Sequence, residues 1–184
     1  MITYKTRLEL IQSMPANGIG CEVGVYQGGF SDEILHTHVG VLYLVDCWKH
    51  QATGYEIDSC NQPDSAQKHI FNGVLDRFQR EIKTGRVVIW RGLSVEVAER
   101  FPTVLDWVYI DGNHSYDAVL ADLRAWERVV TPGGAIMGHD FTHNQMAKDL
   151  NFGVIEAVTD FCKESDWKLS ALTDEDCASF CLKQ

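Results

Sequence analysis

The residues best suited to chemistry in this chain of 184 residues fall in five short polar segments, each at the end of an apolar run. The first reads Glu22-Val23-Gly24-Val25-Tyr26-Gln27-Gly28-Gly29-Phe30-Ser31. Glycine lets a backbone approach a ligand closely, and a helix start supplies free N–H groups and the positive end of a dipole. The spacing is E-x-G-x-x-x-G, not the G-x-G-x-x-G that cradles a pyrophosphate. An acid at Glu22 would repel phosphate and suits a cationic or amine-bearing ligand. The competing reading is a tight turn that needs its glycines only for packing.

Asp46 closes the second apolar run. A carboxylate there is placed to accept both hydroxyls of a ribose. Its distance of about 20 residues from a glycine loop favours that role over a loop-capping aspartate. After the third run come Arg91-Gly92-Leu93-Ser94, where Ser94 either caps the next helix or contacts a base. The fourth and fifth runs end in Asp111-Gly112-Asn113-His114-Ser115-Tyr116 and His139-Asp140-Phe141-Thr142-His143. Asp111 and Asp140, brought together at adjacent strand ends, would repel unless a cation or proton lay between them. A hard divalent ion such as Mg²⁺ answers that with oxygen ligands. His114 and His139 are candidate general bases, or ligands to a softer metal. His143, on a polar loop, reads as a surface histidine.

The elements that must position these groups follow from apolar periodicity. Residues 4 to about 14 have helical spacing, broken at Pro15-Ala16-Asn17-Gly18. Short buried strands are expected at 19–24, 41–45, 87–90, 106–111 and 135–138. Helices are expected at about 28–38 (capped near Ser31), 63–83, 95–101, 116–130 and 152–163. Pro132-Gly133-Gly134 reads as a turn before the fifth strand. Alternation of this kind implies an α/β fold, a parallel sheet covered by helices on both faces. Two last strands, about 167–172 and 178–182, have only a tight acidic turn between them and must form an antiparallel hairpin. No repeat or linker divides the chain, so residues 1–184 read as one domain.

Composition narrows the partners. The net charge is −10 with 16 basic residues and no basic block, which argues against nucleic acid or an anionic membrane as the main partner. No apolar stretch approaches the roughly 20 residues of a membrane span, and no signal peptide is visible at the start. The six cysteines make no Cys-x-x-Cys pair, so reduced thiols and a cytoplasmic location are expected.

The segments Ile110-Asp111-Gly112-Asn113-His114-Ser115-Tyr116 and Gly133-Gly134-Ala135-Ile136-Met137-Gly138-His139-Asp140, together with the Glu22–Gly28 loop, resemble the class I S-adenosylmethionine-dependent methyltransferases. More narrowly, they are similar to the small-molecule branch that includes macrocin-like O-methyltransferases and is related in fold to cephalosporin hydroxylase. The resemblance implies a Rossmann-like, doubly wound sheet of seven strands in the order 3-2-1-4-5-7-6, with the last strand antiparallel. It implies that Glu22, Gly24 and Gly28 hold the methionine part of S-adenosylmethionine, that Asp46 binds the ribose and that Ser94 lies near the adenine. Asp111 would face the methyl donor and, with Asp140, bind Mg²⁺ in metal-dependent members. Relatives often carry two acids in tandem after the fifth strand; here the first of the pair is His139.

The expected reaction is methyl transfer to a small-molecule acceptor, most simply a hydroxyl, with His114 or His139 taking its proton. Two rivals stand beside it: a metal-dependent oxygenase on the same fold, and a non-catalytic nucleotide-binding module. The acceptor pocket is expected from residues 1–16, 47–63 and 141–151, with Trp48, Tyr55, Phe141 and Phe152 as candidate aromatics. The short chain lacks the extra helical lid of larger relatives, so an open site or one completed in a homodimer is expected.

Overall fold

The computed structural model describes residues 1–52 and 58–184; Tyr55 lies outside them. The strands are β1 (Ile2–Tyr4), β2 (Ile19–Val23), β3 (Val41–Asp46), β4 (Val87–Arg91), β5 (Leu105–Ile110), β6 (Val130–Gly138), β7 (Lys168–Thr173) and β8 (Phe180–Lys183). The helices are α1 (Arg7–Gln12), α2 (Gly29–Leu35), α3 (Asp64–Arg77), α4 (Gln79–Lys83), α5 (Ser94–Ala98), α6 (Tyr116–Trp126), α7 (Gln145–Asp149) and α8 (Val154–Glu164).

One mixed sheet runs β1-β7-β8-β6-β5-β2-β3-β4. Only β8 is antiparallel to its neighbours, β6 and β7. The seven expected strands keep their expected order, and the sheet has eight because β1 adds to the edge, parallel to β7 through Ile2↔Ala171 and Tyr4↔Thr173. Three residues are too few to show a period of two, so this strand is invisible to pattern reading. The helical spacing expected from residue 4 begins instead at Arg7, after Thr6, whose side chain accepts from the Glu9 N–H.

Successive strand residues feed opposite faces of the sheet. In β5, Trp107 and Tyr109 join Phe30, Ile34 and Leu42 in one core, beneath α1, α2 and α3. Val108 and Ile110 join Val119, Leu123 and Phe161 in the other, beneath α5, α6 and α8. Two expectations shift in detail. The helix expected at 63–83 is broken at Phe78 into α3 and α4. The Pro132-Gly133-Gly134 segment is part of β6 and makes no separate turn. There the β5–β6 register slips between Leu105 and Trp107, and Gly133 takes φ 81°, the mark of a bulge that glycine tolerates.

From β2 the chain moves to β3 and β4 on one side, then returns to β5 and β6 on the other. The crevice beyond the carboxyl ends of β2 and β5 is therefore the switch point where open α/β sheets bind ligands.

Candidate functional site

The crevice opens into a cavity of about 850 Å³, a size that suits a nucleoside-sized ligand with room beside it. Its floor is the glycine loop between β2 and α2. Gly24 has φ 90°, and a Cβ there would lie 2.0 Å from the Asp111 carbonyl oxygen. No side chain fits, so this glycine is what allows the ends of β2 and β5 to close on each other. The pairing is completed by the Asp111 N–H donating to Val23 O at 2.7 Å. Gly28 is the left-handed cap of α2, with φ 75°, and a Cβ there would meet the Phe78 ring at 2.7 Å.

Glu22 is fully enclosed in β2 and accepts a hydrogen bond from the Ser31 hydroxyl. Ser31 therefore does not cap α2, as its position suggested; it lies inside the helix and serves Glu22. Burial pushes the Glu22 carboxyl up to about 8, opposed by the Ser31 hydrogen bond and reinforced by the nearby Asp111 charge.

Asp46 lines the cavity, but its carboxylate also has an internal role. One oxygen accepts from the N–H groups of Val25 and Tyr26, each at 2.9 Å. The other accepts from the Trp48 N–H at 2.8 Å. A carboxylate has about four acceptor sites, so capacity remains for a ligand hydroxyl. Tyr26 and Trp48 both take positive φ, as does Asp140 across the cavity. Non-glycine residues in that region cost about 1–3 kcal/mol each and gather at ligand sites.

Toward β4, Leu93 rather than Ser94 is the N-cap of α5. Ser94 lines the cavity, and its hydroxyl accepts from Trp126 Nε1 at 2.8 Å. It also hydrogen-bonds Asp122 of α6, whose carboxyl burial pushes up to about 7 against the lowering effect of Ser94. Asp122 was missed from the sequence, although an acid set among Val119, Leu120 and Leu123 was a readable signal.

At the β5 and β6 ends the four expected residues converge. His114 Nε2 lies 3.2 Å from Asp111 Oδ1 and 3.0 Å from Asp140 Oδ2. His139 Nδ1 lies 3.3 Å from Asp140 Oδ2 and 3.7 Å from Asp111 Oδ1. Burial works against a charged His114, yet the Asp111 hydrogen bond and the Asp111 and Asp140 charges outweigh it and raise its pKa. Asp140 is drawn below the usual carboxylate range: burial alone would raise it, but His139 and His114 prevail. The His114 ring packs on Phe152 with centroids 4.5 Å apart. One donor atom from each of Asp111, His139 and Asp140 lies within 4.8 Å of the others. Three ligands at about 2.0–2.3 Å from one ion subtend such spacings, so the donor set fits a divalent metal.

The pocket aromatics divide. Phe152 lines the cavity. Trp48 instead turns into the core against Phe71, and Phe141 packs on Phe180. His143 sits on the surface beside Glu156. Arg7, unmarked by any motif, reaches the cavity from α1 and places Nη1 3.6 Å from Asp111 Oδ2. All six cysteines are free thiols, and no helix among the described residues is long and apolar enough to cross a membrane.

Comparison with known proteins agrees with this geometry. N-methyltransferase NodS from Bradyrhizobium japonicum WM9 superposes with a TM-score of 0.69 at 13% identity, covering 97% of this chain and 92% of its own. The structure of NodS in complex with S-adenosyl-L-homocysteine gives 0.66 at 12% identity over 97% and 82%. A protein described as an rRNA methylase from Clostridium thermocellum gives 0.65 at 12% identity over 96% and 94%. At such identities the likeness carries the fold. Family is carried by sequence: the family described as Methyltransferase domain matches residues 21–141, a span that holds Glu22, Asp46, Ser94, Asp111, His114, His139 and Asp140. The match takes in well over half of the chain, which therefore belongs to the methyltransferase domain family and is an S-adenosylmethionine-dependent methyltransferase.

Proposed function

We propose that this enzyme transfers the methyl group of S-adenosylmethionine to a hydroxyl of a small-molecule acceptor, with a divalent ion held by Asp111, His139 and Asp140. The observation that carries this reading is the meeting of two carboxylates and two imidazoles directly beside the cofactor loop, over one cavity. In the transfer the methyl–sulfur bond breaks as the methyl–oxygen bond forms, the hydroxyl proton leaves, and S-adenosylhomocysteine is released. The sulfonium methyl is already electrophilic, so the protein chiefly aligns the acceptor and accepts its proton. A bound divalent ion would lower the hydroxyl pKa. His114, whose Nε2 lies against Asp111 and Asp140, is the proton acceptor in this scheme, and His139 is the ligand that replaces an acid. Glu22 faces the cofactor ammonium, Gly24 and Gly28 give its methionine end room, Asp46 takes the ribose and Ser94 borders the adenine.

The acid-rich cavity wall and the net charge of −10 support a small acceptor over a nucleic acid. The oxygenase alternative asks for two imidazoles and one carboxylate around iron; among the described residues the donor atoms that all lie within 4.8 Å of one another come from two carboxylates and one imidazole, with His114 set against the carboxylates.

Calorimetric titration of Mg²⁺ and Mn²⁺ into protein saturated with S-adenosylhomocysteine tests the metal, with one ion per chain expected, lost in Asp140→Asn. No binding by the unaltered protein would overturn metal assistance. Formation of S-adenosylhomocysteine with matched panels of hydroxyl and amine acceptors tests the acceptor class. Turnover on amines alone would overturn it.

A further inference from the structure

Arg7 lies outside the family-matched residues 21–141, yet it lines the cavity. Its position is fixed from several sides. Thr6 caps α1 by accepting from the Glu9 N–H, and the Arg7 backbone N–H donates to Glu175 Oε2 at 2.7 Å, tying the helix start to the β7–β8 turn. The guanidinium lies 4.0 Å from the centroid of the Phe30 ring, at the start of α2. It also faces the Tyr109 hydroxyl and the enclosed Glu22 carboxyl. Its nearest approach to Asp111, 3.6 Å, is longer than a well-formed hydrogen bond. A guanidinium offers five N–H donors in a planar fork, and this one is pre-positioned with donors to spare.

Among the described residues the charged groups of the cavity wall are otherwise mostly carboxylates, Glu22, Asp46, Asp111 and Asp140 among them. Among the described residues its only other Arg or Lys is Lys49, an exposed residue on the loop after β3. Such a wall suits the ammonium and sulfonium charges of S-adenosylmethionine, but it repels the α-carboxylate attached to the same carbon as the ammonium. That carboxylate needs a cation beside Glu22 and the glycine loop, and Arg7 stands there.

We propose that Arg7 binds the α-carboxylate of the cofactor's methionine moiety and so selects the intact amino-acid end of the ligand. This rests on the assignment of the Glu22–Gly28 loop to that end of S-adenosylmethionine. Arg7 is then a binding residue contributed by the N-terminal helix α1.

The test compares S-adenosylhomocysteine with its decarboxylated analogue, which keeps the ammonium, by calorimetry on the full chain. Unaltered protein binds S-adenosylhomocysteine about 10- to 100-fold more tightly, the range for a charge-assisted pair. Arg7→Met, which keeps a side chain over Phe30, loses most of that preference: S-adenosylhomocysteine weakens while the analogue holds or tightens. Equal affinities in the unaltered protein overturn the proposal without any variant. So does an Arg7→Met protein that weakens both ligands alike or neither. If the unaltered protein binds neither ligand, the cofactor assignment itself falls and the role of Arg7 falls with it.

Discussion

Ser31, in α2, donates its hydroxyl proton to the carboxyl of Glu22, in β2, and both side chains are closed off from solvent. The pair joins β2 to α2 on either side of the glycine loop that lines the cavity. Burial is the larger influence on Glu22 and holds its pKa at about 8, so at pH 7 the ligand-free protein keeps Glu22 mostly protonated. A cofactor ammonium beside it favours the ionised form. Binding at pH 7 therefore releases up to about one proton per site, and affinity for S-adenosylhomocysteine rises as pH approaches about 8. Calorimetry at pH 7 in two buffers of different ionisation heat measures this; identical heats in both buffers would remove Glu22 from the binding event.

Gly24→Ala should be among the most damaging single changes. The new Cβ would sit 2.0 Å from a backbone oxygen at φ 90°, so β2 and β5 must part. A loss of at least roughly 2 kcal/mol is expected, read by urea denaturation, together with loss of cofactor binding. Gly73→Ala is the contrast. It lies inside α3 with nothing near its would-be Cβ, and should gain about 0.5–1 kcal/mol from helix propensity.

Asp122 makes stability depend on pH in an unusual direction for an aspartate. Burial raises its folded-state pKa from 3.8 to about 7. The folded state thus holds a proton that the unfolded chain has given up, and this contribution is fully present below about pH 4. It is lost as pH climbs toward about 7. Asp122→Asn removes the cost of burying the charge and should stabilise the protein by about 2–4 kcal/mol above pH 7, with little effect near pH 4. Thermal melting of both proteins at pH 5 and pH 8 checks this; a constant difference in melting temperature between them would refute the ionisation account.

Much of this molecule was legible in its sequence because the relevant signals are local. Buried strands such as Val41–Asp46 announce themselves as apolar runs, and polar residues at their carboxyl ends mark a site in any open α/β sheet. That is why Glu22, Asp111, His114, His139 and Asp140 could be named together. What stayed hidden depends on partners distant in sequence. The three residues of β1 become a strand only because β7 has a free edge. Ser31 looks like a cap until Glu22 is seen beside it, and nothing in the spacing around Asp46 shows that its oxygens also hold the backbone N–H groups of Val25, Tyr26 and Trp48. Arg7 carries no motif at all. Its place over Phe30 follows from how α1 packs, and nothing in the spacing of its own segment encodes that.

The central claim is that the crevice over β2, β3 and β5 is an S-adenosylmethionine site, and direct binding tests it most simply. Calorimetric titration with S-adenosylhomocysteine should give one equivalent bound per chain, with no binding of NAD under the same conditions. Binding of NAD with no heat from S-adenosylhomocysteine would contradict the account.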